Sequence, residues 1–256
     1  MRTSVRRAAV AATAVSLALL ATACGGGDSG KAAGKDAGKE SAPAASATSA
    51  APAAEALSAA ELEKLIVEQA DLPGHQVQKA TAADIVPADA VSTDKASCKP
   101  LADAMSFIAT GKPAVSAQRK AIEVPKTDGA TASPEEALGA LAAPVTSVTL
   151  GSYQGQGAQE AFTSLKTAGT DCAAGFTLIG GGEKTKITKV APETVSAGEE
   201  ALAYTVTTDM DGEPFVSKLV AFRQGNTLAT FSSISLGGTV KTLPKTIVDA
   251  QAKKLG

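Results

Sequence analysis

Residues 202–236 read LAYTVTTDMDGEPFVSKLVAFRQGNTLATFSSISL, and the punctuation of this stretch decides the kind of fold the chain can make. Leu202, Tyr204 and Val206 alternate with Ala203, Thr205 and Thr207, the period-two pattern of a half-buried strand. Asp211-Gly212 is a turn pair suited to a tight hairpin, and Gly225-Asn226 is another. Between and after these turns, residues 214–223 and 227–236 predict two further strands, so the stretch reads as an antiparallel meander. Just upstream, residues 184–190 are rich in β-formers and add one more strand.

Working outward, the sheet signals give way to helices. Residues 145–153 predict a strand, and residues 156–168 carry Ala161, Phe162 and Leu165 on one helical face, with Gly169 placed to close the helix. Residues 116–124 predict a strand. Pro100, Leu101, Met105 and Ile108, followed by Gly111, predict a helix before it. Ser58 with Glu61 forms a capping box, and Leu57 with Leu62 stands at the staple positions, so an ordered domain is expected to begin at Leu57. That first helix carries Leu62, Leu65 and Ile66 and should stop at Leu72-Pro73-Gly74, before a strand at residues 75–80. Residues 126–144 read as an insertion holding a short helix opened by Ser133-Pro134-Glu135-Glu136. A closing helix carries Pro244, Ile247, Val248, Gln251 and Leu255, with Lys253 and Lys254 in its last turn. The expected class is α+β: an antiparallel sheet with helices packed on one face, in a single domain from Leu57 to Gly256 of ordinary size.

The first residues of the chain carry an address. Arg2, Arg6 and Arg7 precede an uncharged apolar run from Ala8 to Leu20, which is too short for the ~20 residues of a membrane-spanning helix and suits a secretory signal peptide over residues 1–23. Leu20-Ala21-Thr22-Ala23-Cys24 resembles the lipobox of bacterial lipoproteins, although the Leu that the family places three before the cysteine is Ala21 here. The resemblance implies cleavage before Cys24 and acylation of that residue, with palmitate among the chains. Two or three acyl chains hold a protein firmly at about 0.8 kcal/mol per buried CH₂. Arg6-Arg7 alone does not establish twin-arginine export, since the apolar residues that should follow are not in place. The protein is therefore expected on the outer face of the cytoplasmic membrane.

Residues 25–56 contain no Leu, Ile, Val, Met or aromatic residue, so with Cys24 they read as a disordered Ala/Gly/Ser/Lys tether spanning roughly 30 Å on average. The tract mimics three motifs. Gly25-Gly26-Gly27-Asp28-Ser29-Gly30 fits a dinucleotide glycine pattern and most of a phosphate loop, and Gly27 to Gly30 echoes a serine-protease nucleophile segment. The first two require a strand before and a helix after, and the third requires a placed histidine. The formal charge of the whole chain is −2, and removing the three leader arginines leaves −5. This excludes nucleic acid as an electrostatic partner and leaves no polybasic clamp for lipid headgroups. Among 256 residues there are 54 alanines, no Trp, and 3% aromatic residues, which point to lightly built cores.

Apart from Cys24 there are two cysteines, Cys98 and Cys172, in a compartment that is oxidising, and two thiols have one possible pairing. The disulfide would contribute about 4 kcal/mol through its long loop; two separate buried thiols are the alternative. The combination of Asp71-Leu72-Pro73-Gly74, Cys98 before a helix, Leu150-Gly151-Ser152-Tyr153, Ala161-Phe162 with Leu165, Cys172 with Phe176, and Gly198-Glu199-Glu200-Ala201 resembles the PknH-like extracellular sensor domains. These occur in actinobacteria as the outer part of receptor kinases and as free lipoproteins. The resemblance spans about residues 57–255 and implies a binding or sensing domain whose ligand is unknown: a small molecule, a lipid or an envelope protein. The family's kinase-linked member has two disulfides where this chain can form one, so no ligand pocket is carried over.

No catalytic motif, metal site or cofactor is expected. His75, the sole histidine, follows a Pro-Gly turn with no nucleophile motif around it. Two distant cysteines and one histidine do not make a zinc set. Asp209-Met210-Asp211-Gly212 resembles the start of a calcium loop but lacks the later ligands, and a hairpin turn explains it. Glu199 and Glu200 are adjacent and diverge, which suits a solvated loop. Arg119 and Arg223, in predicted strands, are the candidates to meet an anionic ligand, against the ordinary solvent-facing arginine; Gly180-Gly181-Gly182 is a candidate anion cradle or a plain loop. The favoured reading is a sensor-like binding domain with no enzyme activity. A lipid or lipoglycan carrier is the alternative and needs a cavity sized for acyl chains, while an envelope enzyme would need titratable groups converging on His75.

Overall fold

The computed structural model describes residues 54–124, 142–237 and 239–256. The expected signal peptide, Cys24, the expected tether up to residue 53 and the helix expected at Ser133 lie outside the described residues. Nine strands form one sheet: β1 (His75–Lys79), β2 (Val91–Thr93), β3 (Val115–Glu123), β4 (Val145–Ser152), β5 (Phe176–Gly180), β6 (Glu183–Glu193), β7 (Glu200–Met210), β8 (Glu213–Gln224) and β9 (Thr227–Ile234). Their order across the sheet is β1-β3-β4-β9-β8-β7-β6-β5-β2, and each neighbouring pair is antiparallel. Among the described residues four α-helices accompany the sheet: α1 (Ala59–Leu65), α2 (Lys99–Met105), α3 (Gly157–Asp171) and α4 (Lys245–Leu255).

The meander is formed as the turn pairs predict. Asp211, at φ 55, and Gly212, at φ 90, join β7 to β8, and the Gly212 amide donates to Asp209 Oδ1 at 2.8 Å, so the supposed calcium loop is a hairpin. Ser58 caps α1 with a complete capping box. That helix ends at Leu65, well before the expected Pro73, because distant contacts compete for its next turn. Val67 N–H donates to Gln251 Oε1 of α4 at 2.9 Å, and Gln251 Nε2 donates to the Leu65 carbonyl at 2.8 Å. The short β2 and β5 had no signal as distinct strands. Three residues ahead of Leu57 are also held, with the Ala54 carbonyl accepting from Gly155 N–H at 2.8 Å.

The α+β class, the antiparallel sheet and the single disulfide-linked domain are as expected, but the helices cover both faces of the sheet rather than one. On one face α2 and α3 pack Leu101, Phe162 and Leu165 against Tyr204, Val206, Leu219 and Leu228. On the other, α1 and α4 pack Leu62, Ile66, Ile247 and Val248 against Val148, Val220, Phe222 and Phe231. The reason lies in β8, where Leu219, Val220, Ala221 and Phe222 are all buried. Successive side chains of a strand point to opposite faces, so an unbroken apolar run requires cover on both.

Both ends of the sheet are blunted. Gln69 lies along the free edge of β1, its Nε2 donating to the His75 carbonyl at 2.7 Å and its Oε1 accepting from Val77 N–H at 3.0 Å. It occupies backbone groups that would otherwise recruit another strand. At the other end the edge strand β2 is only three residues long, and just beyond it Asp94 accepts from Thr177 N–H of β5 at 2.8 Å.

Several carboxylates set the response to acid. Hydrogen bonding from Lys120 holds Asp84 at about 2, and Lys254 lowers Asp71. Burial pushes Glu63 and Glu193 upward, yet hydrogen bonds from Arg119 and Lys79, and from Lys218 and Thr205, leave both below the ordinary value. A carboxyl lowered by folding stabilises above its unfolded pKa, near 4, and that contribution is lost as pH falls through the folded value. Asp103, raised by burial against the pull of Lys99, acts in the opposite sense. Glu61 and Asp94 are lowered as well, by hydrogen bonds from Ser58 and from the Thr177 amide; with six groups against one, the melting temperature should be lower at pH 3 than at pH 6, and an equal or higher value would show that these pairs do not govern stability.

Candidate functional site

The largest concavity among the described residues is a groove of about 670 Å³ between α3 and the β6–β7 part of the sheet. Ligand sites of proteins commonly occupy 300–1,000 Å³. One wall is a stripe of α3, Phe162, Lys166 and Thr170, spaced four residues apart and therefore on one side of the helix; the floor is Leu202 and Tyr204 of β7. Phe162, Leu202 and Tyr204 are buried, giving an apolar base under a polar rim of Lys166, Thr170 and Glu200.

Gly169 shapes this groove. It lies inside α3, which runs on to Asp171, and does not close the helix as expected. A Cβ at this position would overlap the hydroxyl and ring of Tyr204. The missing side chain lets the tyrosine lie against the helix backbone, which offsets the roughly 1 kcal/mol that glycine costs in a helix interior. The Tyr204 hydroxyl has no hydrogen-bond partner among the described residues, and burial raises its pKa.

Arg119 and Arg223 are not brought together. Register places Arg119 opposite Val148, on the α1/α4 face, and Arg223 opposite Leu228, on the α2/α3 face. Arg119 is buried and reaches Glu63 of α1 at 2.8 Å. Arg223 holds Glu199 at 2.6 Å and Glu200 at 2.8 Å, so the two glutamates are partners of a strand arginine and not a free acidic loop. Both arginines are engaged internally, which leaves neither as the expected anion ligand. Gly181 and Gly182, at φ 60 and 83, form the exposed β5–β6 turn.

His75 opens β1 and lines a second, polar pocket of about 180 Å³ with Glu123, Thr146, Ser233 and Lys245. Its Nδ1 is buried without a partner. Titratable groups do meet there, but the hydroxyls of Thr146 and Ser233 bond each other at 2.6 Å and Lys245 is paired with Asp249 at 2.7 Å. No nucleophile–base–orienter chain links them. Among the described residues no cluster of three or more metal-ligating side chains occurs, and no helix is long and apolar enough to cross a membrane. Cys98 and Cys172 are bonded, with Cα atoms 5.9 Å apart, joining the start of α2 to the end of α3.

Sequence reading placed Phe162 and Tyr204 in the core but not at a groove. The available signal was a glycine inside a helical run, opposite one of only two tyrosines.

No family model matches the chain, and no curated protein matches it. Among solved structures, the extracellular domain of PknH from Mycobacterium tuberculosis aligns with a TM-score of 0.50 at 10% identity, over 78% of this chain and 97% of that one. A putative uncharacterized protein from Mycobacterium smegmatis, an Rv0999 ortholog, aligns with a TM-score of 0.32 at 10% identity, over 77% of this chain and 92% of that one. The first likeness shows a shared fold.

Proposed function

We propose that this chain is a membrane-anchored extracytoplasmic lipoprotein whose folded domain binds a ligand in the groove between α3 and β7. The observation that carries the reading is the groove itself: an apolar floor whose Tyr204 is accommodated by Gly169, rimmed by a few polar groups, without a catalytic chain. The fold shared with an extracellular domain of a mycobacterial protein supports a sensor-like role. The buried disulfide supports an oxidising compartment. Cys24, through its lipobox, supplies the anchor, and the reading assigns no catalysis and no cofactor. The carrier alternative has less support, because the groove is an open trench and not an enclosed cavity sized for several acyl chains.

Two measurements test this. In native cells, Cys24→Ser should move the protein from the membrane pellet to the soluble extracytoplasmic fraction, since the anchor depends on that thiol; retention in the pellet would refute lipidation at Cys24. Native mass spectrometry of the chain released from its own envelope should show an added small-molecule mass that disappears in a Thr170→Trp variant, whose indole would occupy the groove from an exposed wall position and whose fold is checked by circular dichroism. A mass unaffected by that substitution, or no added mass at all, would count against the groove.

A further inference from the structure

Two charged side chains border the groove, and one is already neutralised: Glu200 accepts from Arg223 Nε at 2.8 Å. Glu193, in register with Ala203, turns to the other face of the sheet, where Lys218 and the Thr205 hydroxyl bond it. Lys166, on the α3 wall one turn beyond Phe162, is exposed and has no ion pair among the described residues. The Tyr204 hydroxyl in the floor is likewise without a partner. The groove thus offers two hydrogen-bond donors, one of them charged, above Phe162 and Leu202, while its acceptors are spent on the protein's own cations. Ligand-site walls of this kind match an acceptor-rich, negatively charged head joined to an apolar body.

The shape narrows the body. The helical wall runs from Phe162 to Thr170, which at 1.5 Å per residue is about 12 Å. A trench of that length favours an extended chain over a compact ring. We infer that the groove takes a single-chain amphiphilic carboxylate, its head on Lys166 and Tyr204 and its alkyl chain along Phe162 and Leu202. The inference rests on the ligand-binding reading above and adds the class of ligand. It differs from a lipid carrier in that one chain lies in an open surface groove, with its head bound by protein.

The chain has no Trp and two Tyr, so its own fluorescence can report the event. Tyr153 is buried and donates to the Thr110 carbonyl at 2.5 Å, away from the groove, whereas Tyr204 lies in its floor. The full chain carrying Cys24→Ser, handled without detergent, would be titrated with decanoate, decanol and decyltrimethylammonium. Decanoate should change tyrosine emission saturably and bind at least tenfold more tightly than the other two. Lys166→Glu, an exposed position whose replacement leaves the fold intact by circular dichroism, should weaken decanoate at least tenfold and favour the ammonium probe. Tyr204→Phe should remove the emission change and weaken decanoate a few-fold by calorimetry. Equal affinity for all three probes, or indifference of decanoate to Lys166→Glu, would overturn the assignment of an anionic ligand while leaving the groove as a binding site. Failure of all three probes beside a groove-dependent added mass in native spectra would overturn the ligand class alone. Failure of both would overturn the class and the binding reading together.

Discussion

Replacing both bridging cysteines, Cys98→Ala with Cys172→Ala, should lower the unfolding free energy by about 4 kcal/mol, because the cross-link closes a long loop in the unfolded chain. The two residues are 74 apart in sequence and directly bonded. At roughly 2–4 °C per kcal/mol for a domain of this size, the melting temperature should fall by roughly 8–16 °C. The bond also does something local. Cys98 sits where α2 begins and Cys172 caps α3, and both are fully buried, so it fixes two helix ends of the layer that forms the groove wall. Urea unfolding of the two proteins under identical buffer measures the effect. A loss below 1 kcal/mol would mean that packing of Leu101 and Leu165 orders this layer without the bond, and that the unfolded chain is already compact around it.

Phe231→Ala should cost a similar amount, about 3–5 kcal/mol, the usual range for a large aromatic removed from a rigid core. Phe231 is 0% exposed and stacks on Phe222 with ring centroids 5.8 Å apart. In register it lies between Val148 and Val220, under α4. A chain with 3% aromatic residues has few other large side chains to move into the void, so the cavity should persist. Leu236, 84% exposed, is the control: its alanine variant should change stability by less than about 0.5 kcal/mol. If Phe231→Ala cost no more than that control, the second helical layer would not be packed as described. Since domains of this kind hold about 5–15 kcal/mol in total, either double or single variant approaches the limit of folding.

How far the chain could be read varied with the range of the interaction. The hairpins at Asp211-Gly212 and Gly225-Asn226 and the cap at Ser58 depend on residues a few positions apart, and they formed where the sequence puts them. The end of α1 did not, because Gln251, 184 positions beyond Val67, competes for its backbone. The partners of the arginines are not legible for the same reason: no local pattern tells that Glu63 waits opposite Arg119, or that Glu199 and Glu200 lie across the strand from Arg223. The groove was hidden altogether. Its floor residues, Leu202 and Tyr204, have the same alternation as any core strand, and only the placement of α3 leaves one of them facing an opening.

By itself the sequence determined the strand meander, the class of fold, the single pairing available to Cys98 and Cys172, and the expectation of an anchor at Cys24. All of these follow from short-range chemistry or from counting. Tertiary structure alone decided that helices cover both faces, that Gly169 serves as a notch for Tyr204 and not as a helix stop, and that Lys166 is the cation at the groove without an ion-pair partner among the described residues. These outcomes depend on which side chains meet across strands and layers far apart in the chain, where the free energy of packing and pairing outweighs local preference.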